Sequence, residues 1–144
     1  MVDHSEHFTR QQLECPCCHQ CIVNTVLLNG LETLLTLTAE PLTLDSVYRC
    51  PKHNAFVKGT KSSYHPLGLA ADTRCAALSI LELYVLAEQI PRFRNGGIGL
   101  YTEGFIHLDV RGSPARWSRV EGVYRPIEDA IHWIHGHALP APIQ

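Results

Sequence analysis

Apolar residues in the first third of the chain recur at helical spacing. Between Ile22 and Thr38 they fall at Val23, Val26, Leu27, Leu31, Leu34 and Leu35, the stripe of an amphipathic helix. Pro41 closes that segment, because proline cannot continue the helical hydrogen-bond ladder. From Leu42 to Tyr48 the period shortens towards two, with Leu42, Leu44 and Ser46 on one side, which predicts a short strand. Arg49 to Gly59 reads as a loop or short helix. A second helix is predicted over Ala76 to Ile90, striped by Leu78, Leu81, Tyr84, Val85 and Ala87 and ended before Pro91. Asn95-Gly96-Gly97 marks a turn. Ile98 to Tyr101 and Phe105 to Arg111 read as strands joined by Thr102-Glu103-Gly104, and Glu128 to His135 as a last short helix. The sum is an α+β chain, with a small, mainly antiparallel sheet packed with helices.

The alternation over Phe105–Arg111 also carries chemistry. Phe105, His107, Asp109 and Arg111 share one face, and Ile106, Leu108 and Val110 the other. The aliphatic face belongs in a core. In an isolated strand, a solvated outer face would explain the remainder as well as function does. Upstream, Ser63 to Asp72 has the form S-x-H-x-x-G-x-A-x-D. It suits an imidazole on a loop that returns through Gly68 into a strand ending at Asp72, with Ala70 leaving room beside the site. Taken together, His65, Asp72 and His107 form a His-Asp-His set. Three protein ligands with a fourth position open is the pattern of a catalytic zinc.

Composition narrows the function classes. At 144 residues the chain is one domain's worth, with 45% hydrophobic and 18% charged residues and a net charge of −2. Nothing in that balance draws it to nucleic acid or to an anionic membrane surface. No apolar run reaches the roughly 18 residues of a membrane span. H-E-x-x-H, G-x-S-x-G and a glycine-rich phosphate loop are all absent from the sequence, which leaves the common zincin helix, a serine hydrolase and a nucleotide enzyme unsupported.

Cysteine use is high for this length. Cys15, Cys17, Cys18 and Cys21 crowd together, while Cys50 and Cys75 stand apart. Cys18-x-x-Cys21 with Cys50 and His53 would make a structural metal site. A disulfide from Cys18 or Cys21 to Cys50, or free thiols, are the competing readings. His132, His135 and His137 near the C-terminus are expected to interact with the end of a helix dipole. Trp117 and Tyr124 either line a cleft or cover the sheet.

Four phrases in order then carry a resemblance: Phe8-Thr9 with Leu13-Glu14-Cys15-x-Cys17-Cys18, Ser46-Val47-Tyr48-Arg49-Cys50-Pro51-x-His53-Asn54, the His65–Asp72 phrase, and Gly104-Phe105-x-His107-x-Asp109. Over Phe8 to Trp117 the chain resembles the zinc D-Ala-D-Ala carboxypeptidase family, whose fold is shared with the hedgehog signalling domain, and its short bacterial and phage members most. The resemblance implies a hedgehog/DD-peptidase-like fold and Zn²⁺ held by His65, Asp72 and His107. It implies an oxyanion-stabilising Arg49, with Ser63 and Tyr64 on the substrate side. It implies hydrolysis of D-Ala-D-Ala or L-Ala-D-Glu bonds in peptidoglycan stems. A Glu often stands three residues before the last His in that family, where this chain has Gly104. Asp109, about 7 Å along the strand from His107, is then the favoured general base and Glu103 the reserve. Orienting a ligand histidine is Asp109's alternative role. The polar, acidic N-terminus is no secretory signal, so a chain made in the cytoplasm would reach the periplasm or wall through a holin or secretion partner, acting as a monomer. A zinc-containing binding module of the same fold is the competing function, and a Cys-cluster adaptor a third.

Overall fold

The computed structural model describes residues 2–136. A single helical turn, α1 (Arg10–Leu13), opens behind a Thr9–Gln12 capping box. The long helix α2 (Thr25–Thr38) follows the predicted stripe. Asn24 caps it by accepting the Val26 N–H, and it stops at Ala39 in the left-handed region, two residues before Pro41. Leu27, Leu28, Leu31 and Leu34 are buried. Strand β1 (Thr43–Ser46) comes next, then α3 (Pro51–Phe56), which settles the Arg49–Gly59 segment as a helix.

After strand β2 (Ala70–Arg74) comes helix α4, which covers only Ile80–Ala87 of the predicted Ala76–Ile90. Ser79 and Glu82 form a capping box there, so the helix starts where its free N–H groups are satisfied. Its buried residues are Leu83 and Ala87, while Val85 is exposed, which corrects the predicted stripe. A further turn, α5 (Pro91–Arg94), places Phe93 in the core against Gly30. Gly97 belongs to strand β3 (Gly97–Tyr101) and not to the turn before it. Strand β4 (Phe105–Asp109) is followed by β5 (Ala115–Val120) and β6 (Val123–Arg125), neither of which the pattern predicts, and by helix α6 (Ile127–Ile134).

The six strands form one sheet in the order β1-β2-β4-β3-β5-β6. Only the β3–β5 pairing is parallel, so the expected α+β architecture, with its mainly antiparallel sheet, is what the chain adopts. Period-two alternation gives the sheet two characters. Ala71, Thr73, Ile98, Leu100, Ile106 and Leu108 are all fully buried on the face covered by helices. The opposite face is set by register. Asp72 lies directly across from His107, His107 across from Gly99, and Gly99 across from Trp117. One row across four strands therefore carries a carboxylate, an imidazole, a gap and an indole.

Candidate active site

Each histidine is aimed by a hydrogen bond from the far side of its ring. His65 opens a short 3₁₀ turn (His65–Leu67) that Gly68 ends at φ 72°. A Cβ at Gly68 would strike the Ile22 carbonyl, so glycine is required both for the left-handed backbone and for the close approach. The His65 ring is buried, with Nδ1 2.7 Å from the Val47 carbonyl oxygen. That bond fixes the proton on Nδ1 and turns Nε2 towards Asp72, whose Oδ1 lies 3.3 Å away. His107 is held the other way round: Nε2 is 2.7 Å from Asp109 Oδ2, and Nδ1 faces Asp72 Oδ1 at 3.1 Å. His65, Asp72 and His107 thus offer ligand atoms within 4.8 Å of one another. Asp72 sits mid-strand in β2 and not at a strand end as the motif suggested. Its position there is what brings it opposite His107.

The row needs its gap. Trp117 leans over Gly99 towards His107, with ring centroids 5.0 Å apart, and a Cβ on Gly99 would strike the indole. Trp117 Nε1 donates to the Tyr101 hydroxyl at 3.1 Å. Tyr101 stacks on Phe105 at 4.5 Å and meets Tyr124 edge-on. Trp117 and Tyr124 therefore line the cavity, which has a volume of about 570 Å³.

Arg49 also lines this cavity. Its Nε donates to Ser46 Oγ at 2.8 Å, one terminal nitrogen to Asn54 at 3.0 Å and the other to Asp72 Oδ2 at 2.9 Å. Asp72 is thereby neutralised on its outer oxygen while Oδ1 stays towards the histidines. Ser63 and Tyr64 lie on the same wall. Ser63 Oγ accepts the His65 N–H, and the Tyr64 ring lies under the Arg111 guanidinium at 4.4 Å. Sequence reasoning missed Lys58 and Arg119, which also line the cavity. Neither forms an ion pair among the described residues, and Arg119 Nε is buried without a partner there. No motif marks them, because only the turn after α3 and the unpredicted β5 bring them to the cavity.

Asp109 is where the structure departs most from the sequence reading. It is on the expected face of β4 but is fully buried and does not line the cavity. Its carboxylate accepts from the Gly97 N–H at 2.8 Å, from Arg111 Nε and a terminal nitrogen at 2.9 and 2.8 Å, and contacts His107. A carboxylate so enclosed fits the orienting role and has no free oxygen to offer a substrate. Glu103 is exposed in the turn between β3 and β4 and is not part of the lining. Asp72 is the only carboxylate among the described lining residues.

Charge in the site follows from these contacts. Burial pushes Asp72 up, but His65 and His107 outweigh it and hold the carboxyl well below the ordinary 3.8. Burial also opposes ionisation at Asp109, where His107 and Arg111 outweigh it with the same result. Burial lowers His107, yet Asp109 and Asp72 more than compensate and raise it above 6.5. Both carboxyls are depressed in the folded chain, so the stability they contribute is complete above 3.8, the ordinary value they have when unfolded. It is lost as pH falls and the folded groups take up protons. His107, raised above 6.5, adds stability that is complete below 6.5 and lost as pH rises through its folded value. The melting temperature of metal-free protein should therefore be highest between about pH 6 and 5 and drop below about pH 4. Asp109→Asn should flatten that drop, as calorimetry across pH would show.

The cysteines do not join this site. Cys15, Cys17, Cys18 and Cys50 gather outside the cavity lining, without Cys21 or His53, and all six cysteines are free thiols. His132 lies in α6 and His135 caps its end, while His137 falls outside the described residues.

The sequence profile of the Peptidase M15 family matches residues 6–109, a span that holds Arg49, His65, Asp72, His107 and Asp109. The chain belongs to the Peptidase M15 family. It is also similar to the probable peptidoglycan L,D-endopeptidase MepK of Haemophilus influenzae, with 33% identity over 97 residues, covering 63% of this chain and 50% of that protein. The M15 chain thus spans about half the length of that relative. No helix among the described residues is long and apolar enough to cross a membrane.

Proposed function

We propose that this M15 chain is a zinc-dependent peptidase that hydrolyses amide bonds in the peptide stems of peptidoglycan. The observation that carries the reading is the convergence of His65 Nε2, Asp72 Oδ1 and His107 Nδ1 on one point of a cationic cavity. The donor set fits the metal: two imidazoles and a carboxylate, all buried, with each ring oriented through its other nitrogen. When bound there, zinc supplies a Lewis acid for the scissile carbonyl and acidifies a water molecule.

The remaining work belongs to the chain. Arg49 presents a planar fork of N–H donors. Ser46, Asn54 and Asp72 fix it at the cavity wall, where the remaining N–H groups of its terminal nitrogens would stabilise negative charge on the scissile carbonyl oxygen. Asp72 and Asp109 neutralise Arg49 and Arg111 respectively. Lys58 and Arg119 then leave the cavity with an excess of positive charge, suited to the carboxylates of a stem peptide. The aromatic wall of Tyr101, Phe105, Trp117 and Tyr124 supports the peptide backbone. Asp109 holds the His107 ring, and neither it nor Glu103 is assigned proton transfer. The name of the Haemophilus relative supports a peptidoglycan substrate. Purified protein incubated with sacculi should release peptides with new amino termini, seen by mass spectrometry, and a chelator should stop the release until zinc is restored. The masses distinguish D-Ala-D-Ala from L-Ala-D-Glu cleavage. Intact stems in the presence of zinc-loaded protein would overturn the proposal in favour of a binding module.

A further inference from the structure

A second cluster of metal-ligating side chains lies outside the cavity. Cys15, Cys17 and Cys18 follow α1, and Cys50 is the residue immediately before α3. Their four sulfurs lie within 4.8 Å of one another. Cys15 and Cys17 Sγ are 3.7 Å apart, and Cys17 and Cys50 Sγ 3.4 Å. Four sulfurs each about 2.3 Å from a central zinc stand about 3.8 Å from one another, close to these separations.

The backbone is arranged to support thiolates at this point. The Cys50 N–H points at Cys15 Sγ at 3.4 Å, and the His53 N–H at Cys50 Sγ at 3.3 Å. Donors aimed at sulfur favour the charged form that a metal needs. The loop that presents three of the thiols is closed on itself, with the Cys15 N–H donating to the Gln20 carbonyl and the His19 N–H to the Cys15 carbonyl, both at 2.8 Å. Cys15 is buried beneath the cluster, Cys50 is half-buried, and Cys17 and Cys18 cover it from the solvent side.

We propose that Cys15, Cys17, Cys18 and Cys50 bind a structural zinc ion, separate from the His65–Asp72–His107 site. An all-sulfur set of four selects zinc among the common divalent ions and leaves no open position for a substrate. Its effect is mechanical. The Tyr48 N–H donates to the Leu13 carbonyl at 3.1 Å, so the segment leading into the cysteines already runs beside the one that leads into Arg49 and Cys50. Metal would lock the two together next to the arginine that grips Asp72. The site therefore clamps Arg49 without touching the substrate.

Metal analysis of the full chain tests this independently of any peptidase activity. Wild-type protein should hold about two zinc equivalents, and His65→Ala and Cys17→Ser about one each. Cys21→Ser, outside the cluster, should keep both. Cobalt substituted into His65→Ala protein should show an intense sulfur-to-cobalt charge-transfer absorption, and Cys17→Ser should abolish it. Because Cys17 is exposed, its serine variant is expected to fold, and circular dichroism checks that. Metal lost completely from folded His65→Ala would overturn the proposal. So would an intact mass two hydrogens below that of the free-thiol chain, which would mark a disulfide. Failure here leaves the catalytic proposal standing, and failure of peptidoglycan cleavage leaves this one standing.

Discussion

Replacing His65 by alanine should lower peptide-bond hydrolysis by at least about a thousandfold while the chain stays folded. The metal site is asked to supply several kcal/mol of transition-state stabilisation, and about 4 kcal/mol is about three decades in rate. His65 supplies one of three ligand atoms, and nothing nearby among the described residues can replace it. Asp109 lies outside the lining, turned away beneath His107, and the polar lining groups beside His65 in the chain, Ser63 and Tyr64, carry hydroxyls, poor zinc ligands. The substitution has a structural cost too. It leaves the Val47 carbonyl without its partner and opens a small buried space, at about 1–3 kcal/mol for the unpaired group. A melting curve separates that cost from the catalytic loss. A folded His65→Ala protein that retained more than a tenth of wild-type turnover on purified muropeptides would remove His65 from the site.

How much of this was legible in the sequence depends on how each element earns its position. Helix α2 was legible because its core contacts come from one stripe of leucines. The face of β4 was legible because Ile106 and Leu108 alternate strictly with His107 and Asp109. The phrase around His65 carried its own turn signal in Gly68. Strand β5 was not legible because two of its three core-facing positions, Arg116 and Ser118, are polar, and only Val120 is apolar. Arg116 is satisfied there by Glu88 and by the carbonyls of Arg94 and Gly96, and Ser118 by the carbonyls of Arg125 and Pro126. With polar residues on both faces, the period-two signal disappears, and Arg119 disappears with it. Ser79 and Glu82 did carry the start of α4 in the sequence, but the apolar run from Ala76 outweighed them. The cysteine set depends on a chain reversal at His19, which takes φ 61°. That reversal leaves Cys21 out and could not be read from spacing. The burial of Asp109 depends on Gly97 and Arg111 meeting it from two sides, a tertiary fact.

That burial makes Asp109→Asn the variant with the most to say about the site. The amide keeps the size of the carboxylate but must place a donor somewhere. Placed at the Oδ1 position, its NH₂ would face three donors, the Gly97 N–H, the Arg111 N–H and Arg111 Nε. Placed at the Oδ2 position, it faces one Arg111 donor and meets His107 Nε2, forcing that atom to accept. The ring proton must then move to Nδ1, the nitrogen that faces Asp72 and the metal position. A protonated nitrogen cannot ligate, so metal affinity at this site should fall by about 10- to 100-fold, the usual effect of losing such an orienting partner. Activity at limiting zinc should fall with it and recover substantially in excess zinc. A general base behaves differently, because its amide variant would bind zinc normally and stay inactive at any zinc concentration. Asp109→Ala should be harsher. It strands Arg111 and His107 around a buried hole and should cost about 3–5 kcal/mol of stability, as removing one partner of a buried pair does. Zinc titration of the asparagine variant, read by calorimetry beside turnover, decides between the two roles. Unchanged affinity with lost turnover would return the base to Asp109.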